Sequence, residues 1–196
     1  MSAIADQKTA LRRLVRARLA ALTPEQRAVE SSRVVAAISR HQAWRQARTV
    51  MLFIPLANEI NILPLVIEAL AHHKVVLLPR FDPAKDNYHP AQVINLSTDL
   101  VRGPFGVTEP GPDCPAHPLK PLDVTVVPGL AFDRVGRRLG RGKGHYDRLL
   151  ADAGGQFWAV GFESQLLLEL PVEPHDVVLN CIVTPAHWVV VGAGRR

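Results

Sequence analysis

Apolar residues recur along this chain with two different periods. Leu11, Leu14, Val15 and Leu19 fall on one face of a helix, which predicts a helix from about Ile4 to Ala21. Thr23 then stands where an N-cap would, with Pro24 at the first helical position and Gln26 as capping-box partner. A second helix should therefore run to about His41. The period then changes. Thr49 to Pro55 is apolar almost throughout and reads as a strand buried on both faces. A loop through Glu59 leads to a helix from about Ile62 to His73, followed by a second buried strand, Lys74 to Pro79. Ala91 to Leu96 is a further strand, and Gly103 to Pro121, rich in Gly and Pro, is mostly loop. Asp123 to Val127 reads as a strand, His145 to Ala153 as a helix and Phe157 to Phe162 as a strand. Val177 to Val183 and Trp188 to Val191 close the chain as strands.

Strands alternating with helices predict an α/β sandwich built on a largely parallel sheet. Such sheets bind ligands beyond the carboxyl ends of their strands. The segment following Asp123 to Val127 lies there, and it is chemically unusual. Its centre, RRLGRGKGHYD, alternates cations with glycines. Gly140, Gly142 and Gly144 leave the backbone bare for close approach, while Arg138, Arg141 and Lys143 add charge. A helix start follows, where anions are favoured. The combination describes a polyphosphate pocket, although a solvated basic turn or a non-specific nucleic-acid contact would carry the same residues. It is no Walker loop, because Arg137 stands at the first glycine and Gly144 at the hydroxyl position. Nor is it the dinucleotide fingerprint, because His145 replaces the third glycine.

Length and charge narrow the partners. At 196 residues the chain is long enough for one domain with a sizeable core. A net charge of +5 is modest and suits anionic small molecules at least as well as nucleic acid. The cations are not interleaved with aromatic residues, as a single-strand binder would want. Cys114 and Cys181 are too far apart for a zinc motif and too few for a disulfide framework, which fits a reducing cytoplasm. The first residues, MSAIADQKTALRR, lack the apolar run of a signal peptide, and no apolar stretch is long enough to span a membrane.

Other residues offer chemistry of their own. Lys8 and Arg12, four apart, share one helix face and could clamp phosphates, or simply face solvent. Asp147 falls in the first turn after the loop. It could complement the helix dipole, or hold a magnesium ion beside phosphates. Glu59 follows a buried strand and could accept two N–H bonds from a heterocycle, or stand as an exposed loop acid. His175-Asp176 resembles half of a catalytic pair. None of the six serines lies in a nucleophile elbow.

With these residues in view, the chain resembles the 5-formyltetrahydrofolate cyclo-ligase family along nearly its whole length. PGLAFDRVGRRLGRGKGHYD carries most of the likeness. The lysine-arginine helix, the Pro55–Glu59 loop, FGVTEP (105–110) and LPVEPHDV (170–177) support it. The resemblance implies a single-domain three-layer sandwich of the NagB/RpiA/CoA-transferase-like fold. It also implies closure of 5-formyltetrahydrofolate, polyglutamylated or not, to 5,10-methenyltetrahydrofolate with ATP and Mg2+. By the same resemblance, ATP would meet Lys8, Arg12, Arg138, Leu139, Gly140, Arg141, Gly142, Lys143, Gly144, His145 and Tyr146. Of these, Lys143, Arg141 and Tyr146 would act in catalysis. Ile54 and Glu59 would line the folate pocket, Asp147 would hold magnesium, and Asn180 would be a second metal ligand through its amide oxygen. Asn180 stands where family members often carry an acid, as does Pro185. Ile62 stands at a frequent threonine and His145 at a frequent tyrosine. A monomer is expected, with neither nucleic acid nor membrane as partner. The alternative is a non-catalytic nucleotide- or nucleic-acid-binding relative.

Overall fold

A computed structural model of the chain describes residues 3–120, 122–174 and 176–192. Helices α1 (Ala3–Ala20), α2 (Pro24–Arg40) and α3 (Gln42–Gln46) come first, then β1 (Thr49–Met51), α4 (Leu63–Ala71), β2 (Val75–Asp82) and β3 (Asn87–Val93). They are followed by β4 (Leu100–Arg102), β5 (Thr108–Pro110), β6 (Val124–Val127), β7 (Ala131–Asp133) and β8 (Arg138–Leu139). The remaining elements are α5 (His145–Ala151), β9 (Gln156–Val160), β10 (Leu166–Leu167), β11 (Cys181–Val183) and β12 (Trp188–Val190). The capping box forms: the Gln26 N–H donates to the Thr23 hydroxyl at 3.2 Å, and the Thr23 N–H to the Gln26 side-chain Oε1 at 2.8 Å.

The main sheet has the order β12-β11-β9-β6-β1-β2-β3. Pairings from β11 to β2 are parallel, and the two edge strands are antiparallel. Alternation along the strands supplies two faces, and both are buried. Val50, Leu52, Val76, Leu78, Val126, Trp158 and Val183 join a core with Val15 and Leu19 of α1, Val34 and Ile38 of α2, Trp44 of α3 and Leu65 and Val66 of α4. Met51, Leu77, Val127, Ala159 and Ile182 face the other way, toward Leu149 and Leu150 of α5 and toward Phe132. Burial on both faces is why these strands read as continuous apolar runs.

Several expected boundaries move. Leu14 is not on the core face of α1 and is 45% exposed. The strand placed at Ala91–Leu96 runs instead over Asn87–Val93, where it pairs residue for residue with β2. Of Val177–Val183 only Cys181–Val183 is strand. The loop of Gly103–Pro121 contains β5, which pairs with β4.

The glycine-basic segment is also more structured than a loop. β7 and β8 form a hairpin, and β10 adds to it in parallel. Asp133, fully buried, organises the turn: one carboxylate oxygen accepts the N–H groups of Val135 (3.1 Å) and Arg137 (3.0 Å), the other that of Leu170 (3.0 Å). Gly136 takes a φ of 87°, and a Cβ there would stand 2.6 Å from the Leu179 carbonyl oxygen, so only glycine fits.

Candidate active site

A cleft opens beyond the carboxyl ends of β1, β2 and β6. Its first wall is apolar: Phe53, Ile54 and Leu56 after β1, Leu78 and Pro79 of β2, Tyr88 of β3, and Val107 before β5. Its second wall is basic: Arg138 from β8, Arg141 and Lys143 from the glycine loop, then His145, Tyr146 and Asp147 from α5. The lining pairs a broad apolar surface with a few directed polar groups, as ligand sites do.

Local geometry fixes the second wall. Gly142 (φ 113°) and Gly144 (φ 65°) take backbone conformations that other residues adopt only with strain. Arg138 is almost sealed from water and donates to the Asp147 carboxylate at 2.8 Å, with its guanidinium 5.7 Å from the centre of the Tyr146 ring. Arg12 of α1 crosses to the loop, where its Nε donates to the Gly140 carbonyl at 3.0 Å. Arg141 reaches the opposite wall, donating to Glu59 at 2.7 Å and to Asn58 at 3.1 Å. The other oxygen of Glu59 accepts the Leu56 N–H at 3.0 Å. Glu59 is therefore no exposed loop acid. It joins the two walls.

Burial, and after it the Glu59 charge, pushes the Tyr146 phenol far above its usual value, so it stays protonated and can donate. Burial pulls the His145 imidazole down, and Arg148 and Lys143 pull further, which makes it neutral at pH 7. Its ring meets Tyr88 and Phe81 edge-on at 5.3 and 5.6 Å.

The structure gathers Ile54, Glu59, Arg138, Gly140, Arg141, Lys143, Gly144, His145, Tyr146 and Asp147 around the cleft. Leu139 lies buried behind it on β8, and Gly142 faces Arg12. Lys8 is placed differently. Its ammonium is buried between Asp176 (2.6 Å) and Glu173 (2.8 Å). Burial alone would lower its pKa, but the bonds to Asp176 and Glu173 outweigh that and raise it. Asn180 is not brought to the cleft. It precedes β11 at the other end of the sheet, where its side-chain oxygen accepts the Phe157 N–H at 2.7 Å. The amide thus closes the start of the β9–β11 pair. Among the described residues no three His, Cys, Asp or Glu side chains cluster as a metal cage. The His175-Asp176 pairing rests on His175, which lies outside the described residues; Asp176 itself holds Lys8.

Two contributors escaped the sequence reading. Gln165, buried, donates to the carbonyls of Gly129 (2.8 Å) and Leu130 (3.0 Å) and so fixes the Pro128–Gly129 corner of the cleft. No local pattern signals it. Arg148 braces the loop from outside, donating to the Lys143 carbonyl at 3.1 Å and the Asp86 carbonyl at 2.8 Å. Its position directly after Asp147 was the available hint.

Comparison with known proteins decides what this cleft belongs to. The model of the 5-formyltetrahydrofolate cyclo-ligase family matches residues 4–185. The chain belongs to that family. A 5-formyltetrahydrofolate cyclo-ligase of Mycolicibacterium smegmatis is 39% identical over 155 residues, covering 73% of this chain and 76% of that one. The Escherichia coli K12 cyclo-ligase is 34% identical over 188 residues, 88% and 97% of the two chains. The NMR structure of Aquifex aeolicus 5,10-methenyltetrahydrofolate synthetase superposes with a TM-score of 0.86 at 30% identity, over 96% of this chain and 95% of that one. The family resemblance read from the glycine-basic motif is thereby established. Among the described residues, no helix is long and apolar enough to cross a membrane.

Proposed function

We propose that this protein closes 5-formyltetrahydrofolate to 5,10-methenyltetrahydrofolate, consuming ATP and releasing ADP and phosphate. The carrying observation is one cleft in which an apolar wall faces a basic glycine loop, within a chain of the cyclo-ligase family.

The chemistry needs both walls. A formyl group on nitrogen is a poor electrophile, and its oxygen a poor leaving group. Transfer of the γ-phosphoryl group to that oxygen corrects both faults. The neighbouring folate nitrogen then attacks the carbon, the C–O bond breaks, and phosphate leaves. Such a transfer demands positioning and charge neutralisation more than covalent help. Lys143 and Arg141 supply charge beside the transferring group, and the protonated Tyr146 donates a hydrogen bond. Arg12, Arg138 and the backbone of Leu139 to His145 hold the nucleotide. Ile54 packs against the pterin, and Glu59 accepts its N–H groups.

The donor set also fits Mg2+, which binds nucleotide sites through one or two carboxylates plus phosphate oxygens and water. Asp147 would hold it, 14% exposed at the cleft beside the buried Arg138. The bound ion would neutralise charge developing on the phosphates.

The two cores on either face of the sheet support one domain over residues 1–196, built as a three-layer sandwich of the NagB/RpiA/CoA-transferase type. Two buried free cysteines fit a reducing cytoplasm, and the reading takes the chain as a monomer whose partner is folate, polyglutamylated or not, and not nucleic acid. The non-catalytic reading drew on Asn180 and Pro185, and Asn180 lies away from the cleft.

The decisive assay mixes the protein with Mg-ATP and 5-formyltetrahydrofolate and follows the near-ultraviolet absorbance of the methenyl product. No product under any metal condition overturns the proposal. Tight, steeply salt-dependent binding to random duplex would point to the non-catalytic relative instead.

A further inference from the structure

A backbone loop can hold phosphates only when its N–H groups face them, and glycine by itself favours no one facing. Some neighbour must choose the direction in which each peptide of the loop points. Arg148 is placed to do so. Its side chain lies on the outer side of the loop, 46% exposed. One guanidinium nitrogen donates to the Lys143 carbonyl at 3.1 Å. Another donates to the Asp86 carbonyl at 2.8 Å and to Nδ1 of His145 at 2.7 Å. A single planar fork thus fixes three groups on two separate segments.

Those segments differ in firmness. Asp86 sits at the tip of the β2–β3 hairpin, which is held by seven residue pairs from Val76–Val93 to Asp82–Asn87. Its order does not depend on Arg148. The glycine loop begins where strand pairing stops, at Leu139 opposite Ala131. The hairpin is therefore the anchor, and the loop is what the guanidinium holds. The tie to the anchor is directional and owes little to the Asp86 charge. Arg148 takes the Asp86 carbonyl, while the Asp86 carboxylate is 80% exposed and 3.9 Å away. His145 completes the brace, packing edge-on against Phe81 and Tyr88 of the same hairpin.

We infer that Arg148 is a positioning residue for nucleotide binding: it keeps the peptide between Lys143 and Gly144 turned so that its N–H serves the cleft. A peptide unit is planar and trans, so its C=O and N–H point in opposite directions. With the Lys143 carbonyl held on Arg148, the Gly144 N–H is presented on the other side, where Gly144 lines the cleft. Without the guanidinium the peptide is free to turn over. A turned peptide sets a carbonyl oxygen against phosphate oxygens, so a donor is lost and a repulsion takes its place. The inference rests on the reading that the loop takes the phosphates of ATP.

Arg148→Met keeps an unbranched side chain and removes every donor. Positioning predicts that KM for Mg-ATP rises roughly tenfold, the lower end for a charge-assisted hydrogen bond. The turnover number and KM for the folate should stay within about twofold. Arg148→Lys keeps the charge, but one ammonium cannot span three acceptors, so it should recover only part of the loss. Full recovery would show that charge alone attracts ATP and would overturn the inference. Asp86→Asn keeps the backbone carbonyl and suits the φ of 45° at that position, so KM for ATP should not move. A rise equal to that of Arg148→Met would assign the effect to the ion pair and overturn the inference. An unchanged KM for ATP in Arg148→Met, with or without a lower Tm, overturns it as well. A second readout needs no activity. Amide exchange of Gly142–His145 in the nucleotide-free protein should quicken in Arg148→Met while β2 and β3 keep their protection. Unchanged loop exchange, or equal loss of protection in the hairpin, would refute the positioning. If the parent protein binds no ATP, the functional reading fails, and the exchange experiment still decides what Arg148 holds.

Discussion

Replacing Asp147 with Asn removes one charge from a pair nearly sealed from water. Arg138 is 4% exposed and Asp147 14%, with 2.8 Å between donor and acceptor. At about 4 Å between charge centres and an effective dielectric of about 20, their attraction is roughly 4 kcal/mol. Desolvation of both groups offsets much of that, so the intact pair adds little net stability. The single variant is different, because Arg138 stays desolvated and loses its counter-charge. Outright loss of one partner in a buried pair costs about 3–5 kcal/mol. Asn keeps one acceptor oxygen in place, so about 2–4 kcal/mol is expected. For a chain of this size each kcal/mol lowers Tm by roughly 2–4 °C, giving a fall of about 5–15 °C in calorimetry without ligands. The same variant should raise the magnesium concentration for half-maximal turnover by at least about tenfold. A Tm within about 1 °C of the parent would refute the electrostatic argument. An unchanged magnesium titration would refute the metal assignment independently. Converting the pair to apolar residues, Arg138→Met with Asp147→Leu, should recover much of the stability and none of the activity.

Three further outcomes follow from the same geometry. Lys143→Ala removes a charge-assisted phosphate contact of about 1.5–3 kcal/mol, so turnover with ATP should drop roughly ten- to a hundred-fold; near-normal turnover would remove Lys143 from the mechanism. Gly129→Ala would set a Cβ 2.8 Å from the buried Phe132 ring and 3.1 Å from Arg138, and overpacking of that kind costs about 1–3 kcal/mol. Unfolding by urea reads the loss, and an unshifted midpoint would show that Phe132 can move aside. Burial pushes the Glu109 carboxyl above its usual range, against the opposing Phe81 N–H and Arg80. The folded chain then holds this proton more tightly than the unfolded one, so the associated stability is complete at low pH and lost as pH rises through the raised pKa. Glu109→Gln cannot ionise, so its Tm should gain on the parent between about pH 4 and pH 7, and a shrinking difference would contradict the shift.

Much of this was legible in the chain because the signals were local. Buried-strand runs such as Thr49–Pro55 and Lys74–Pro79 announce a parallel sheet through continuous apolarity, and the Thr23–Gln26 box announces a helix start by pattern alone. The glycine-basic motif marks the residues that form the basic wall of the cleft. What escaped was non-local. Arg138–Leu139 becomes a strand only because Ala131–Phe132 lies across from it, a pairing too short to leave a periodic trace. Gln165 matters through two carbonyls more than 30 residues away. Lys8 illustrates the limit best. Its spacing from Arg12 was readable, but its carboxylate partners lie 165 and 168 residues further on. Asn180 failed for the opposite reason: a motif position said nothing about which end of the sheet it would occupy.

The bond between Arg141 and Glu59 has a thermodynamic consequence. It spans the two walls, so under the proposed reading each ligand competes with a contact that the protein makes to itself. Folate must displace Arg141 from Glu59, and phosphate must draw Arg141 away. Whichever arrives first breaks the bond, and the second then binds a site already opened. The two affinities are thereby linked, and linkage is reciprocal: the factor by which folate tightens ATP must equal the factor by which ATP tightens folate. A half-exposed ion pair of this kind is worth up to about 1 kcal/mol, which sets that factor at roughly fivefold. One bond across the cleft thus biases the enzyme toward holding both substrates or neither.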